Sequence, residues 1–90
     1  MRRITHSVLK THFCKHVTRT RRKNKWTKRK MAEVLDMDDR SYAYIENGES
    51  ACSAATLVLY LVFVLTEEDQ IEFLLELRNQ ILKYWEEPTA

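Results

Sequence analysis

The apolar residues of the chain fall at helical spacings. Leu9, Phe13, Val17 and Thr20 recur at intervals of four, four and three, which predicts a first helix over about Ser7 to Lys23 with one narrow apolar face. Lys10, Lys15, Arg19, Arg22 and Lys23 occupy its other faces, and a short basic arm (Met1, Arg2, Arg3) precedes it. Thr27 is suited to cap a second helix running to about Leu35, with Met31, Ala32 and Leu35 inward and Trp26 as an anchor just outside. After a break at Asp36 and Met37, Asp38 can cap a third helix to about Asn47, with Tyr42 and Ile45 inward. Gly48 then stands where a helix ends in a left-handed residue, a conformation that glycine adopts freely.

Ser53 is expected to cap a fourth helix through about Leu65. Leu57 to Leu65 is apolar at every position; its β-branched and aromatic residues also suit a buried strand, and the neighbouring helices with no partner strand favour a helix. A helix with no polar side needs cover all round. Thr66, followed by Glu67, Glu68 and Asp69, opens a fifth helix with a capping hydroxyl and acids at its positive end, running to about Glu87 before Pro88. Ile71, Leu74, Leu75, Ile81, Leu82 and Trp85 form one stripe on it, and Phe73, Leu77 and Tyr84 an adjoining one. Glu72, Glu76, Asn79 and Lys83 mark its wet face.

Composition narrows the fold class. Ninety residues suit one domain, and a single Gly and a single Pro leave long stretches for continuous helix, so the expectation is all-α. Organisation follows: residues 1–6 as a basic arm, 7–65 as the main helical domain, and 66–90 as an amphipathic helix with a short tail for packing or dimerisation. The net charge of +2 conceals a polarised chain. Residues 1–30 hold twelve of the fifteen Lys and Arg and no acid, a net +12; residues 31–90 hold the other three bases and all thirteen acids, a net −10. One end thus suits a polyanion.

Catalytic chemistry finds little footing. No glycine-rich phosphate loop, Ser/His/Asp set or paired carboxylates stand out, so an enzyme is not expected. Cys14 and Cys52 make neither a disulfide framework nor a CxxC pair, and read as small apolar fillers. His12 and His16 lie one helical turn apart, but no third ligand has a fixed spacing. They read as residues of the exposed basic face, with no metal or cofactor expected. The longest apolar run, Ala54 to Leu65, is too short to span a bilayer, and no secretory signal is recognised, which makes the cytoplasm the expected compartment.

The stretch from Trp26 to Gly48 has the makings of two short helices joined by a tight turn. Ala32 supplies the small residue where they touch, Met31, Leu35, Met37, Tyr42 and Ile45 the apolar contacts, and Asp39, Arg40, Ala43 and Tyr44 an outward polar edge. It ends in Ile45-Glu46-Asn47-Gly48, which resembles the I-E-x-G ending of the lambda-repressor/Cro-like (XRE-type) helix-turn-helix family. Thr27, Ala32, Glu33 and Leu35 fall on that family's cap, small residue, acid and Leu. Val17 and Arg21 match its first helix, and Ser53, Thr56 and Leu57 the opening of its fourth. The chain departs from the pattern at Lys28, where Gln is usual, and at Lys25, Asp36 and Leu65, where Gly is frequent.

The resemblance implies a five-helix lambda-repressor-like domain that binds double-stranded DNA as a transcriptional regulator, with the third helix in the major groove. It implies base-facing roles for Asp39, Arg40, Ala43 and Tyr44, phosphate contacts from Thr27, Lys28, Arg29 and Asn47, and an ion pair between Arg21 and Glu46. Arg40 has the chemistry to read guanine O6 and N7. The wide apolar arc of the last two helices favours a homodimer. The competing expectation is a protein-interaction module, an antitoxin-like or accessory subunit acting through those same helices.

Overall fold

The computed structural model describes residues 2–86, and side chains over 7–83. Five α-helices follow in order: α1 (Arg2–Lys23), α2 (Lys28–Val34), α3 (Asp39–Glu46), α4 (Ala54–Leu59) and α5 (Glu67–Glu86). A π-helical turn, Tyr60–Val64, continues α4, and the described residues contain no strand. The fold is all-α.

Helix starts follow side-chain chemistry. Thr27, Asp38, Ser53 and Thr66 each accept a hydrogen bond from the backbone N–H three residues on, at 3.0, 2.6, 3.1 and 3.2 Å. Each satisfies one of the amides that a helix start leaves without a partner. The first helix differs from expectation: α1 begins at Arg2, so residues 2–6 of the anticipated arm are its opening turns. No Gly or Pro separates them from Ser7, and nothing local stops the helix from extending backwards. Met1, the chain beyond Glu86, and the side chains of Arg2, Arg3, Tyr84 and Trp85 lie outside the described residues.

The first three helices end alike. Lys25, Asp36 and Gly48 have φ of 59°, 56° and 77°, all left-handed. At each end one amide bonds back five residues (Trp26 to Arg21, Met37 to Ala32, Glu49 to Tyr44) and the amide before it bonds back three (Lys25 to Arg22, Asp36 to Glu33, Gly48 to Ile45). This paired arrangement reverses the chain tightly and satisfies the last carbonyls. Lys25 and Asp36 occupy two of the positions where the resemblance leads one to look for Gly. Leu65, the third, is extended (φ −91°, ψ 142°) and buried, so nothing there calls for Gly.

The core is built around α1. Phe13 and Val17 meet Met31, Ala32 and Leu35 of α2, Tyr42 and Ile45 of α3, Tyr60 and Leu65 of the π turn and its exit, and Phe73 of α5. Phe13, Tyr60 and Phe73 pack edge to face, with centroids 5.0 to 6.4 Å apart. The π turn places Tyr60 and Leu65 together. The Leu65 amide donates to the Tyr60 carbonyl at 3.1 Å, a five-residue step. On an α-helix two residues five apart face different ways; the wider turn brings both inside.

Packing settles one open choice, between the two stripes of α5, and corrects the placement of Glu76, His12 and His16. Within a single copy of the chain, Val58, Val62 and Phe63 of the apolar run are more than half exposed. On α5 the stripe containing Phe73 and Leu77 turns inward, while Ile71, Leu74, Leu75 and Leu82 stay exposed. Arg78 shares that outer stripe, and burying it would strand an unpaired guanidinium. Glu76, assigned to the wet face, is half-buried and pairs with Arg19 at 3.6 Å. Finally, His16 is buried and His12 half-buried rather than exposed. Both rings lie on Phe73, at centroid distances of 4.7 and 5.0 Å, because α1 is covered by α5 as well as by α3.

Candidate nucleic-acid interface

Two caps set the geometry of the candidate surface. Thr27 and Asp38 start α2 and α3, and the two starts lie close enough for Arg29 Nε to come within 3.5 Å of Asp39 Oδ2. Thr27, Lys28, Arg29, Lys30, Asp39, Arg40, Tyr44 and Asn47 are all exposed there. Ala43 is half-buried, so of the four residues assigned to the outward edge of α3 it is the least free. The opposite side of the pair is closed by Met31, Ala32, Leu35, Tyr42 and Ile45, each no more than 5% exposed. Ala32 permits the close approach because it adds only one methyl.

The far end of α3 is clamped to α1. Arg21 Nε and Nη2 donate to the two oxygens of Glu46 at 2.5 and 3.1 Å, and Arg21 Nη1 donates to the Trp26 carbonyl at 3.0 Å. The Tyr42 hydroxyl donates to the same carboxylate at 2.5 Å. Burial pushes the Glu46 pKa up, but the bonds from Arg21 and Tyr42 outweigh it and hold the group below the usual carboxylate range. For Tyr42, burial and then the Glu46 partner push the phenol pKa up, so it stays a donor. Cys14 adds to the clamp: its thiol donates to the Glu46 carbonyl at 2.9 Å. The thiol is half-buried and has a polar partner, which differs from the apolar filler expected of it.

Electrostatically the exposed edge is mixed. Lys28, Arg29, Lys30 and Arg40 stand beside Asp38 and Asp39. Asp38 is held below its ordinary pKa first by the hydrogen bonds at Ser41, as befits a cap. Asp39 meets Arg29, but both side chains are well exposed, so the pair is weak and either partner is free to exchange for a ligand. Lys30 Nζ lies 5.8 Å from the Trp26 ring, a distance at which cation–π attraction operates.

A second polar cluster, missed in the sequence, lies under α5. Tyr60 donates its hydroxyl to Thr20 Oγ1 at 2.9 Å and lies 2.5 Å from His16 Nδ1. With the phenol proton on Thr20, His16 carries its own proton on Nδ1 and donates to Tyr60. Burial, followed by the charge of Arg19, lowers the His16 pKa to about 4; burial also lowers that of His12. The available signal was positional: His12 and His16 adjoin the Leu9–Phe13–Val17 face and widen it to meet a second partner. Among the described residues no three His, Cys, Asp or Glu side chains are grouped to hold a metal ion, and no helix is long and apolar enough to cross a membrane.

Comparison of the chain with protein-family models, with curated proteins and with solved structures gives no match.

Proposed function

We propose that this protein is a sequence-specific DNA-binding regulator, of the repressor type, that lays the exposed edge of α3 in the major groove. One observation carries the reading: the polar edge formed by Arg40, Tyr44 and Asn47 is free, while the opposite edge of the α2–α3 pair is buried and clamped. A helix held rigidly on one side and bare on the other fits an 11–12 Å groove without rearrangement. Lys28, Arg29 and Lys30 at the start of α2 supply cations for phosphates on either side. Arg40 is the residue with the fork geometry to read guanine, and Tyr44 has a hydroxyl for a phosphate and a ring for a thymine methyl. The left-handed Lys25 and Asp36, at two positions where the lambda-repressor/Cro-like pattern favours Gly, support the family resemblance on which the base-facing assignments rest.

The test is selection of bound duplexes from a random pool, followed by fluorescence anisotropy at two salt concentrations. One enriched sequence is expected, with affinity falling by a factor on the order of a hundred or more between 50 and 200 mM salt. Failure to enrich any sequence, together with no duplex binding at low salt, overturns the proposal.

A second reading, an interaction module acting through its C-terminal helices, is favoured by the exposed Val62, Phe63, Ile71, Leu74 and Leu75. The two are compatible, since these residues are on other elements than α2 and α3.

A further inference from the structure

α5 has two apolar sides. One faces the body through Phe73, which is fully buried, and the half-buried Leu77. The other lies about half a turn away. There Glu68, Ile71, Leu75, Arg78 and Leu82 recur at spacings of three, four, three and four, the register of a coiled-coil seam. Ile71, Leu75 and Leu82 are 61%, 52% and 36% exposed, and Arg78 is exposed within their row. Gln70 donates from Nε2 to the Leu61 carbonyl at 2.6 Å, so the helix is held from its inner side by this bond as well as by its core residues. The outer row is thus formed before anything docks on it, which spares a partner the cost of ordering it.

The charges in and beside the row indicate the occupant. Arg78 has no ion-pair partner within 4.0 Å among the described residues, so a helix that covers the row has to bring an acid to it. Glu67 and Glu72 are exposed on the two flanks, and by count along the helix Asn79 and Glu86 follow Glu72 on its side. Neither flank holds a base, and Lys83 stands farther round the helix. A second copy of α5 fits these charges poorly. In parallel, Arg78 meets Arg78 and Glu67 meets Glu72. Antiparallel in full overlap, Arg78 lies on Leu75 with no acid, and Glu86 comes level with Glu67. The antiparallel overlap that offers Arg78 an acid of the row, Glu68, sets Glu72 against Glu72 and runs Leu82 past the start of the opposite helix. We infer that the outer row of α5 docks an amphipathic helix of a different protein, with an apolar seam, Lys or Arg on its flanks and an acid set against Arg78. Seam contacts supply the affinity, and the charges set orientation and the choice of partner. The same charges discourage self-pairing along this row. The assignment rests on the interaction-module reading and names the partner's chemistry; it is separable from the DNA reading, whose helices are α2 and α3.

The probe is a labelled synthetic helix of three heptads, with Leu at the seam positions, one Glu at the seam centre, Lys on both flanks and Ala and Gln elsewhere. Its Lys flanks keep it from pairing with itself. Fluorescence anisotropy against the full chain is expected to show saturable binding that weakens by about tenfold or more when the central Glu is replaced by Lys. Arg78→Glu is expected to reverse that preference, and Leu75→Lys to abolish binding of both peptides. Both positions are exposed, so circular dichroism is expected to stay unchanged. Should either variant unfold, the preference of the wild type between the two peptides decides. Equal affinity of the wild type for both peptides, or a preference that survives Arg78→Glu, overturns the inference and leaves the interaction-module reading in place. No binding of either peptide overturns both. A dimer of the full chain in light scattering that Leu75→Lys splits also overturns the inference, because a second copy then holds the row.

Discussion

Arg21 and Glu46, twenty-five residues apart, are joined by two hydrogen bonds, one from Nε and one from Nη2. Their side chains are only 12% and 6% exposed, so the pair is desolvated and depends on its geometry. It binds the last turn of α3 to the last turn of α1 and thereby sets the angle at which the bare edge of α3 is presented. Tyr42 completes the carboxylate's partners from the same helix.

Removing one member leaves the other charged and buried. Arg21→Ala and Glu46→Ala are each expected to destabilise the fold by about 2–4 kcal/mol, in line with broken buried pairs. Urea denaturation measures this; a loss under about 0.5 kcal/mol for either variant contradicts the clamp.

Arg40 is exposed and has no ion-pair partner within 4.0 Å among the described residues. On the proposed DNA reading, Arg40→Ala should cost about 1–3 kcal/mol in discrimination at one base pair and leave weak, salt-dependent binding in place. Unchanged selectivity between the enriched duplex and its single-base variants refutes the assigned role.

Lys25 holds a left-handed backbone that costs a non-glycine residue about 1 kcal/mol or more. Glycine removes that cost but gives the unfolded chain more freedom, by about 0.4–1 kcal/mol. Lys25→Gly is therefore expected to raise stability by up to about 0.5–1 kcal/mol. Asp36→Gly should gain less, because Asp tolerates this conformation better. Thermal melts of both variants check the order.

His16 makes the fold sensitive to acid. Its pKa falls from 6.5 in the unfolded chain to about 4 in the folded one, with burial as the main cause. Between those values the unfolded state binds the proton and the folded state does not, so stability rises with pH across the window. Acidification from 6.5 to 4 is expected to cost at most about 3 kcal/mol through this group, and His12 acts in the same direction. Glu46, with its lowered pKa, adds a further loss at more acidic pH. The measurement is urea unfolding at a series of pH values for the wild type and His16→Phe; an equal slope in both rules His16 out as the source.

Much of the fold was legible because its signals are local. Thr27, Asp38, Ser53 and Thr66 cap their own helices through bonds spanning three residues, and Gly48 ends α3 within its own turn. The inward residues of α2 and α3 followed from periodicity, since each short helix has one buried side. The candidate surface was legible to the same degree: the residues opposite the core were assigned outward, and all but Ala43 are exposed. What stayed hidden depends on which neighbours arrive. α1 is covered from two directions, so His12 and His16 turn from basic-face residues into core, a change that no count along one helix detects.

By itself, then, the amino-acid order determined the all-α class, the capped starts of four helices, the left-handed end at Gly48 and the polarity of charge between the two parts of the chain. These depend on interactions within a few residues or on composition alone. Tertiary structure decided which of two apolar stripes on α5 went inside, that Tyr60 and Leu65 meet through a π turn, and that Cys14 bonds to the end of α3. Each of those is a competition between distant surfaces for the same small core, and it is settled only when α1, the π turn and α5 close around Phe73.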